Sequence, residues 1–253
     1  MTALLAVHAF DLWKRFGEKI AVAGLTLQVP DGSFFGLVGP NGAGKTTTLR
    51  MIVGLLRPDG GAVTVGGVPS WPDPRAVKAI IGVLPDDLRL FERLSGAELL
   101  TYLGVFRGIS RDEVDRRSAE LLDVLGLTDD RNVLVADYST GMRKKIALAA
   151  ALLHGPRVLF LDEPFESVDP VSARTITEVL AAFRGRGGTV VFSSHVMDTV
   201  ERLCDHVAIV AAGKVVVAGE IDAVRGGRRL EDAFIDAVGA PAETHSSFDW
   251  LGS

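Results

Sequence analysis

A glycine-rich segment at residues 39–46 has the residue types and the spacing that bind phosphate. It reads Gly-Pro-Asn-Gly-Ala-Gly-Lys-Thr and follows an apolar run at residues 34–38. When such a loop joins a strand to a helix, its backbone amides surround the β-phosphate of a nucleotide and the helix adds its positive end. The side chain of Lys45 can reach the β- and γ-phosphates, and the hydroxyl of Thr46 can bind Mg²⁺. The segment therefore predicts a phosphate-binding loop.

Two carboxylates, Asp162 and Glu163, follow the apolar residues 158–161. A carboxylate at the end of a parallel strand beside a phosphate loop can hold the ligand shell of Mg²⁺, and Asp162 has that place. Glu163 can polarise a water molecule aimed at the γ-phosphate. The alternative is a solvated strand end without a chemical role. Because the chain also carries the phosphate loop, the chemical interpretation is the stronger one.

A histidine, His195, follows another apolar run at residues 189–192. We expect this strand to lie beside the strand that ends at Asp162, so that His195 reaches the same edge of the sheet. There it can hydrogen-bond the γ-phosphate or hold the attacking water. A single histidine after a strand is more often structural or merely exposed, so this assignment depends on the remaining motifs.

The composition narrows the class of protein. With 253 residues, 47% of them hydrophobic, the chain has the length of one large α/β unit or two small ones. Its single cysteine, Cys204, allows no internal disulfide and suggests a reducing cytosol. A net charge of −5 disfavours a general nucleic-acid binder. No signal peptide is recognisable, and the longest apolar stretch, residues 146–153, is too short to span a membrane, so a membrane role would require a partner protein.

Hydrophobic periodicity predicts the elements that must position these residues. The chain before Val29 alternates apolar and polar residues, which is typical of antiparallel strands. Ser95 and Glu98 have capping-box spacing and predict the start of a helix. Helices at residues 84–156 indicate a helical subdomain inserted into an α/β core, and residues 240–253 are expected to form a loose tail. Further predicted strands are 62–68, 80–84, 158–161, 189–192 and 206–210, and further helices are 45–55, 139–153, 197–203 and 230–238.

Four segments together resemble the nucleotide-binding subunits of ABC transporters. The segments are Gly39 to Thr47, Tyr138 to Met142, Leu161 to Pro164, and Ser194 with His195. The Ser-x-Gly signature between the two Walker motifs is the specific element, because other phosphate-loop ATPases lack it. The resemblance covers about residues 4–239. It implies an α/β fold with a P-loop NTPase core, a mixed sheet with flanking helices, an antiparallel β subdomain and an α-helical signature subdomain at about 86–155, within one ATPase domain of residues 1–239.

The resemblance implies ATP and Mg²⁺ as cofactors and assigns roles to individual residues. Lys45, Glu163 and His195 would be catalytic. Three oxygen-bearing side chains would serve the metal: Thr46, Asp162 and Asp86. The residues implied to bind the nucleotide are Phe16, Gly39, Pro40, Asn41, Gly42, Ala43, Gly44, Lys45, Thr46, Thr47, Ser139, Gly141 and Asp169.

The implied assembly is a head-to-tail pair of subunits in which Lys45 of one copy and Ser139 of the other hold one ATP. Ser139 would cap a helix whose positive end points at the γ-phosphate, and Gly141 would let that backbone come close. Phe16 matches the aromatic residue that stacks on adenine. Phe16 could instead be a core aromatic on an edge strand, and Trp13 is the other candidate for the stack.

The sequence departs from the family pattern at two motifs. Asp86 occupies the position of the usual Q-loop glutamine. It can reach Mg²⁺ through a water molecule but cannot donate an amide hydrogen bond, so coupling to a partner is expected to be altered. In the signature, Tyr138, Thr140 and Met142 replace the usual leucine, glycine and glutamine. Ser139 and Gly141 are retained, which indicates a variant signature that still works.

The leading functional hypothesis is that the chain is the ATP-hydrolysing subunit of an ABC exporter. It would act at the inner face of a cell membrane through a separate permease, and it would pair with a copy of itself or with a related subunit. Apolar residues in the stretch 89–107 are expected to line the permease-binding groove, although at least half of them should belong to the core. A soluble ABC-type ATPase acting on ribosomes or DNA is one alternative. A regulatory module that hydrolyses ATP poorly, suggested by Asp86, is the other.

Overall fold

The structure is a computed structural model that describes residues 4–239, and within that range the chain forms ten strands and nine α-helices. The strands are β1 Leu5–Phe16, β2 Lys19–Pro30, β3 Phe34–Val38, β4 Gly60–Val65, β5 Val68–Pro69, β6 Ile81–Leu84, β7 Val158–Asp162, β8 Thr189–Ser194, β9 His206–Ala211 and β10 Lys214–Glu220. The helices are α1 Lys45–Ile52, α2 Arg75–Ile80, α3 Gly96–Phe106, α4 Arg111–Val124, α5 Thr140–Leu152, α6 Pro170–Gly185, α7 Met197–Leu203, α8 Ile221–Arg225 and α9 Leu230–Val238.

The main sheet has six strands in the order β10-β9-β3-β8-β7-β6. Neighbouring strands from β9 to β6 run parallel, whereas β10 is antiparallel to β9, so the sheet is mixed. Val38 pairs with Ser194, and Asp162 pairs with Ser193. The carboxyl ends of β3, β7 and β8 therefore meet at one edge, where parallel α/β sheets hold their ligands. The expected neighbouring position of β7 and β8 is confirmed.

A second sheet is antiparallel and has the order β2-β1-β4-β5. It is joined to the main sheet by the backbone hydrogen bond from Ala23 N to Gly213 O, at 2.9 Å. The two sheets and α1 share one hydrophobic cluster, to which α1 contributes Leu49, Met51 and Ile52. The long strands β1 and β2 thereby lie over the phosphate loop.

Alternate residues of the main sheet enter two separate cores. On β3, Phe35 and Leu37 face the antiparallel sheet and α1, whereas Phe34 and Val38 pack against the helices on the other side. A strand covered on both faces must be apolar at every position, which explains the continuous hydrophobic runs in β3, β7 and β8.

Helices α3, α4 and α5 lie between β6 and β7 in the chain. The capping box at the start of α3 is confirmed: Ser95 accepts a hydrogen bond from Glu98 N, and the Glu98 carboxylate accepts one from Ser95 N. The three helices share their core with the main sheet, through side chains such as Leu99, Leu122 and Leu148. The helical insertion and one face of the main sheet thus form a single hydrophobic core, on the side opposite α1.

The predicted α/β fold class, with its mixed sheet, antiparallel sheet and inserted helices, is confirmed. Two local predictions were wrong. The strand expected at 62–68 is split, because Gly66 and Gly67 form a turn with positive φ angles of 56° and 79°. The helix expected to reach residue 55 ends at Ile52, with Gly54 at φ 72°. The short helices α2 and α8 were not predicted. The tail expected at 240–253 lies outside the described residues.

Two further findings bear on the sequence analysis. Cys204 is buried. Among the described residues, no helix has both the length and the apolar character needed to cross a membrane.

Candidate functional site

The phosphate loop runs from the end of β3 to the first turn of α1. Gly42 and Gly44 have φ angles of 82° and 104°, in the left-handed region that favours glycine. A Cβ atom on Gly44 would lie 2.6 Å from the carbonyl oxygen of Ala21, so β2 covers the loop closely. The loop leads directly into the N-terminus of α1, where backbone amides can bind an anionic ligand.

A cavity of about 250 Å³ opens over this loop. Its walls come from the loop, from β2 and from the segment that follows β7. The lining residues are Phe16, Lys19, Ala21, Pro40, Asn41, Gly42, Ala43, Gly44, Lys45, Thr46, Thr47 and Glu163. The predicted phosphate-loop residues thus line one cavity, with the exception of Gly39.

The Lys45 side chain is 6% exposed and lies at the base of the cavity. Its ammonium donates a hydrogen bond to the carbonyl of Gly39, at 2.7 Å, and a longer one to that of Pro40, at 3.4 Å. It also lies 3.6 Å from Glu163 Oε1. A compact ammonium in this place offers a fixed positive charge to an anionic ligand.

Asp162 and Glu163 are held by a single hydroxyl. The carboxylate of Asp162 is buried and accepts a short hydrogen bond from Ser193 Oγ. The same oxygen accepts a hydrogen bond from the backbone N–H of Glu163, at 3.0 Å. Glu163 has a φ of 46°, which is uncommon for a residue with a side chain and marks a constrained turn. The turn directs its carboxylate, which is 12% exposed, into the cavity.

His195 lies immediately after β8 and faces the same carboxylate. Its Nδ1 is 3.1 Å from Glu163 Oε2, and the side chain is 39% exposed. One carboxylate therefore has Lys45 near one oxygen and His195 near the other. This geometry can place a water molecule between a base and a triphosphate, with an imidazole at the open side.

A buried lysine on α5 also reaches Glu163. Lys144 is 5% exposed, and its ammonium donates a hydrogen bond to the backbone carbonyl of Glu163, at 2.9 Å. Burial lowers the pKa of Lys144. The negative charges of four carboxylates act in the opposite direction, in the order Asp86, Glu166, Asp162 and Glu163.

The signature residues lie in a separate cluster. Ser139 is exposed and caps α5 by accepting a hydrogen bond from Met142 N, at 3.3 Å. Asp169 caps α6, and the backbone N–H of Ser172 lowers the pKa of its carboxyl group. A Cβ atom on Gly141 would lie 2.5 Å from Ser172 Oγ and 2.7 Å from Asp169 Oδ2. The glycine therefore permits close packing of α5 against α6 within this chain.

The structure does not bring every predicted site residue into the cavity. Six further predicted site residues are not among the described residues that line it: Asp86, Ser139, Gly141, Asp162, Asp169 and His195. Asp86 is exposed and follows β6. The described residues contain no cluster of three or more His, Cys, Asp or Glu side chains that could bind a metal by themselves.

Of the two candidates for adenine stacking, the geometry favours Phe16. It is half exposed at the cavity wall, and the Lys14 ammonium lies 5.7 Å from its ring centroid. Trp13 does not line the cavity, and its indole N–H donates to Asp11 Oδ1, at 2.9 Å.

The stretch 89–107 divides as expected between core and surface. Leu99 and Leu100 are buried, and Phe91 and Phe106 are 51% and 78% exposed. The remaining leucines of the expected groove pack against the core: Leu90, Leu94 and Leu103. The exposed part is an aromatic row in which the Tyr102 ring lies 5.1 Å from Phe91 and 6.3 Å from Phe106 between centroids.

Sequence reasoning missed three contributors to the site. Lys19 and Ala21 line the cavity from β2, where nothing in the alternating pattern distinguishes them. Lys144 lies just beyond the signature. Its one signal was a charged residue on the side of α5 that also carries the apolar Leu148 and Ala151, and a charge at that place usually implies a buried partner.

Comparison with known proteins agrees with the geometry. Residues 22–166 match the ABC transporter family. The linearmycin resistance ATP-binding protein LnrL of Bacillus subtilis is 37% identical over 213 residues, which cover 84% of this chain and 68% of that protein. The Nod factor export ATP-binding protein I of Cupriavidus pinatubonensis is 36% identical over 220 residues, with coverages of 87% and 67%.

Among solved structures, an ATP-binding subunit of an ABC transporter superposes with a TM-score of 0.85 at 28% identity, covering 92% of this chain and 99% of that one. The chain spans about two thirds of the length of the two relatives above. Family, fold and cavity agree on the same chemistry. The chain belongs to the ABC transporter family, as an ATP-binding subunit that hydrolyses ATP.

Proposed function

We propose that this chain powers export through a separate membrane permease, to which it binds at the inner face of the cell membrane. The observation that carries the ATP-driven part is the contact of Glu163, which lines the cavity together with Lys45, with both Lys45 and His195. Export is supported by the names of relatives that serve drug resistance and Nod factor export. We take residues 1–239 as one ATPase domain, with the helical subdomain at about 86–155.

In the proposed reaction the phosphate loop holds the triphosphate with its amides, and Lys45 leaves the loop carbonyls to bind the β- and γ-phosphates. Phe16 stacks on adenine at the cavity wall. Glu163 polarises the attacking water, and His195 holds the γ-phosphate or that water. The contact of Glu163 with both Lys45 and His195 supports these roles, because it places base, cation and imidazole within reach of one phosphate.

Mg²⁺ is proposed to bind with the triphosphate. This ion takes few protein ligands and keeps phosphate oxygens and waters in its shell, so the lack of a carboxylate cluster among the described residues fits it. Thr46 supplies a hydroxyl from the cavity wall, and Asp162 supplies a carboxylate held by Ser193. Asp86 is exposed, so its proposed contact with Mg²⁺ would run through a water molecule.

The second cluster is proposed to act on the ATP of a partner subunit, either a copy of this chain or a related one. Ser139 presents a free helix N-terminus at the surface, where a γ-phosphate from a facing subunit can bind. Gly141 and Asp169 would support that contact from the junction of α5 and α6. Hydrolysis removes the charge that joins the subunits, and the resulting separation moves the permease.

The direct test replaces the proposed base. Glu163→Gln should bind ATP with nearly unchanged affinity and hydrolyse it at least ~100-fold more slowly, because the amide cannot accept the proton. Glu178→Gln, at an exposed glutamate on α6, is the matched control and should retain normal turnover. Near-normal turnover in Glu163→Gln would remove Glu163 from the role of base.

The tagged Glu163→Gln protein, purified with ATP from cells solubilised in mild detergent, tests the transport part. A polytopic membrane protein recovered in stoichiometric amount is the expected result. Ribosomal or DNA-bound proteins without a membrane protein would contradict the export proposal and favour a soluble ATPase.

A further inference from the structure

The hydrogen bond between Lys144 and Glu163 joins the signature helix to the proposed catalytic turn. Lys144 is on α5, whose N-terminal cap is Ser139. Lys144 is 5% exposed as a residue, and its ammonium donates to the backbone carbonyl of Glu163, at 2.9 Å. A lysine ammonium is rarely buried to this extent, because it must give up its hydration. Its place therefore calls for an explanation beyond packing.

The Glu163 peptide groups are held on both sides. The N–H donates to Ser193 Oγ, at 3.0 Å, and the C=O accepts from Lys144. Between these two bonds the backbone has a φ of 46°, which a glutamate adopts only when its surroundings impose it. The two bonds come from different elements, β8 and α5, so the conformation depends on both.

The orientation of the carboxylate follows from that backbone conformation. With the turn held, Glu163 Oε1 lies 3.6 Å from Lys45 and Oε2 lies 3.1 Å from His195. If the turn relaxed toward the ordinary right-handed region, the direction of the side chain would change and both contacts would be lost. A small displacement of a catalytic group lowers the reaction rate strongly and changes substrate binding little.

Four carboxylates lie near enough to the Lys144 ammonium to act on its charge. Burial lowers the pKa of its ammonium, and the carboxylates of Asp86, Glu166, Asp162 and Glu163 counteract that effect. Among these four carboxylates, Asp86 has the largest effect on the pKa of Lys144. The acidic residue at the Q-loop position therefore favours the charged form of this lysine. The cluster thus connects three motifs of the nucleotide site through one buried cation.

We infer that Lys144 is a positioning residue for ATP hydrolysis. By holding the Glu163 peptide group, Lys144 makes the orientation of the Glu163 carboxylate depend on the position of α5. The inference rests on the proposed role of Glu163 as the base. It predicts an effect on turnover without a matching effect on nucleotide binding, because Lys144 lines no part of the cavity among the described residues.

The test begins with Lys144→Met, which keeps the stem of the side chain and removes the donor. We expect kcat to fall at least ~10-fold while the Kd for Mg-ATP changes less than about twofold. Lys144→Arg, which restores a cationic donor, should recover most of the rate. Lys145→Met is the matched control, since Lys145 is the next residue on α5 and is partly exposed, and it should leave kcat within about twofold.

A double mutant separates positioning from a general structural effect. If Lys144 acts through Glu163, then Lys144→Met should change the residual rate of the Glu163→Gln protein by less than about twofold. The inference would be overturned if Lys144→Met lowered the residual rate of the Glu163→Gln protein by the same factor by which it lowers the rate of the unaltered protein. A normal kcat in the Lys144→Met protein would also overturn it. If Lys144→Met does not fold, as judged by circular dichroism, Lys144→Gln takes its place in both comparisons.

The Glu163→Gln protein alone distinguishes the two levels of the proposal. Normal turnover in that variant would mean that Glu163 is not the base and that the proposed function has failed at its first step. Slow turnover in Glu163→Gln together with normal turnover in Lys144→Met would leave the base in place and reject Lys144 as its positioning residue.

Discussion

At the scale of single residues, the hydroxyl of Ser193 holds in place the two acidic residues at the end of β7. It donates to Asp162 Oδ1 and accepts from the N–H of Glu163, so one oxygen orients a proposed metal ligand and a proposed base. Groups that orient metal ligands in this way commonly contribute 10–100-fold in affinity or activity. The buried position of Ser193 prevents water from replacing the hydroxyl.

Ser193→Ala should therefore weaken Mg²⁺ binding and turnover together. We expect the Mg²⁺ concentration for half-maximal ATPase activity to rise about tenfold and kcat to fall by a similar factor. Urea denaturation should show a loss of about 1–3 kcal/mol, because the N–H of Glu163 loses its acceptor. Ser194→Ala is the control, since the Ser194 hydroxyl bonds only to the nearby backbone of Val196 among the described residues. Equal Mg²⁺ dependence in the two variants would contradict this role.

At the scale of elements, the position of the signature helix depends on how closely α5 packs against the edge strand β6. Gly82 on β6 has no space for a side chain, because a Cβ atom there would overlap the carbonyl oxygen of Ala151 and lie 2.6 Å from Leu159 Cδ2. The obstacle is the backbone of α5, which cannot move aside as a flexible side chain can. The absence of a side chain at Gly82 therefore sets the distance between helix and strand.

Gly82→Ala should destabilise the protein by about 1–3 kcal/mol, through overpacking between β6 and α5. Gly219→Ala on β10 is the matched control. The nearest neighbour of the added Cβ atom would be Val224 Cγ2, at 3.7 Å, and the φ of Gly219 is not in the positive region. Because alanine lowers the conformational entropy of the unfolded chain, this variant should be more stable by up to about 1 kcal/mol. Urea-induced unfolding followed by circular dichroism measures both. A similar free energy of unfolding for the two variants would mean that α5 adapts to the added methyl group.

The elements also show where sequence reasoning succeeds and where it stops. The phosphate loop, the carboxylates after β7 and the position of His195 follow from motifs that carry their own local geometry, and these residues do meet. The split of the strand near Gly66 and the helix α2 depend on turns and short packing contacts without a periodic signal. Lys144 was missed because its partner is a backbone carbonyl distant in sequence, and no spacing rule reports such a contact.

At the scale of the whole molecule, the candidate site is divided between two surfaces. The phosphate loop and Glu163 line one cavity and His195 contacts Glu163, whereas Ser139 caps α5 at an exposed position that does not line the cavity. A helix N-terminus with an exposed cap can bind phosphate, but the phosphate held by this chain is at the other surface. Both surfaces can act on one ATP only if a second subunit brings its own α5 to the cavity.

This division predicts an ATP-dependent dimer. The Glu163→Gln protein, which retains its ATP, should elute as a dimer in size-exclusion chromatography with Mg-ATP and as a monomer with Mg-ADP, because the γ-phosphate joins the two surfaces.

Adding Ser139→Arg should abolish the dimer and leave the monomer's affinity for ATP within about twofold, since the new side chain blocks the helix end without touching the cavity. Ser110→Arg is the matched control, because Ser110 is also an exposed residue at a helix N-terminus, that of α4, and the dimer should persist. A dimer in the Ser139→Arg protein would show that the signature does not bind the partner's nucleotide, and a loss of ATP affinity with it would indicate misfolding instead of a broken interface.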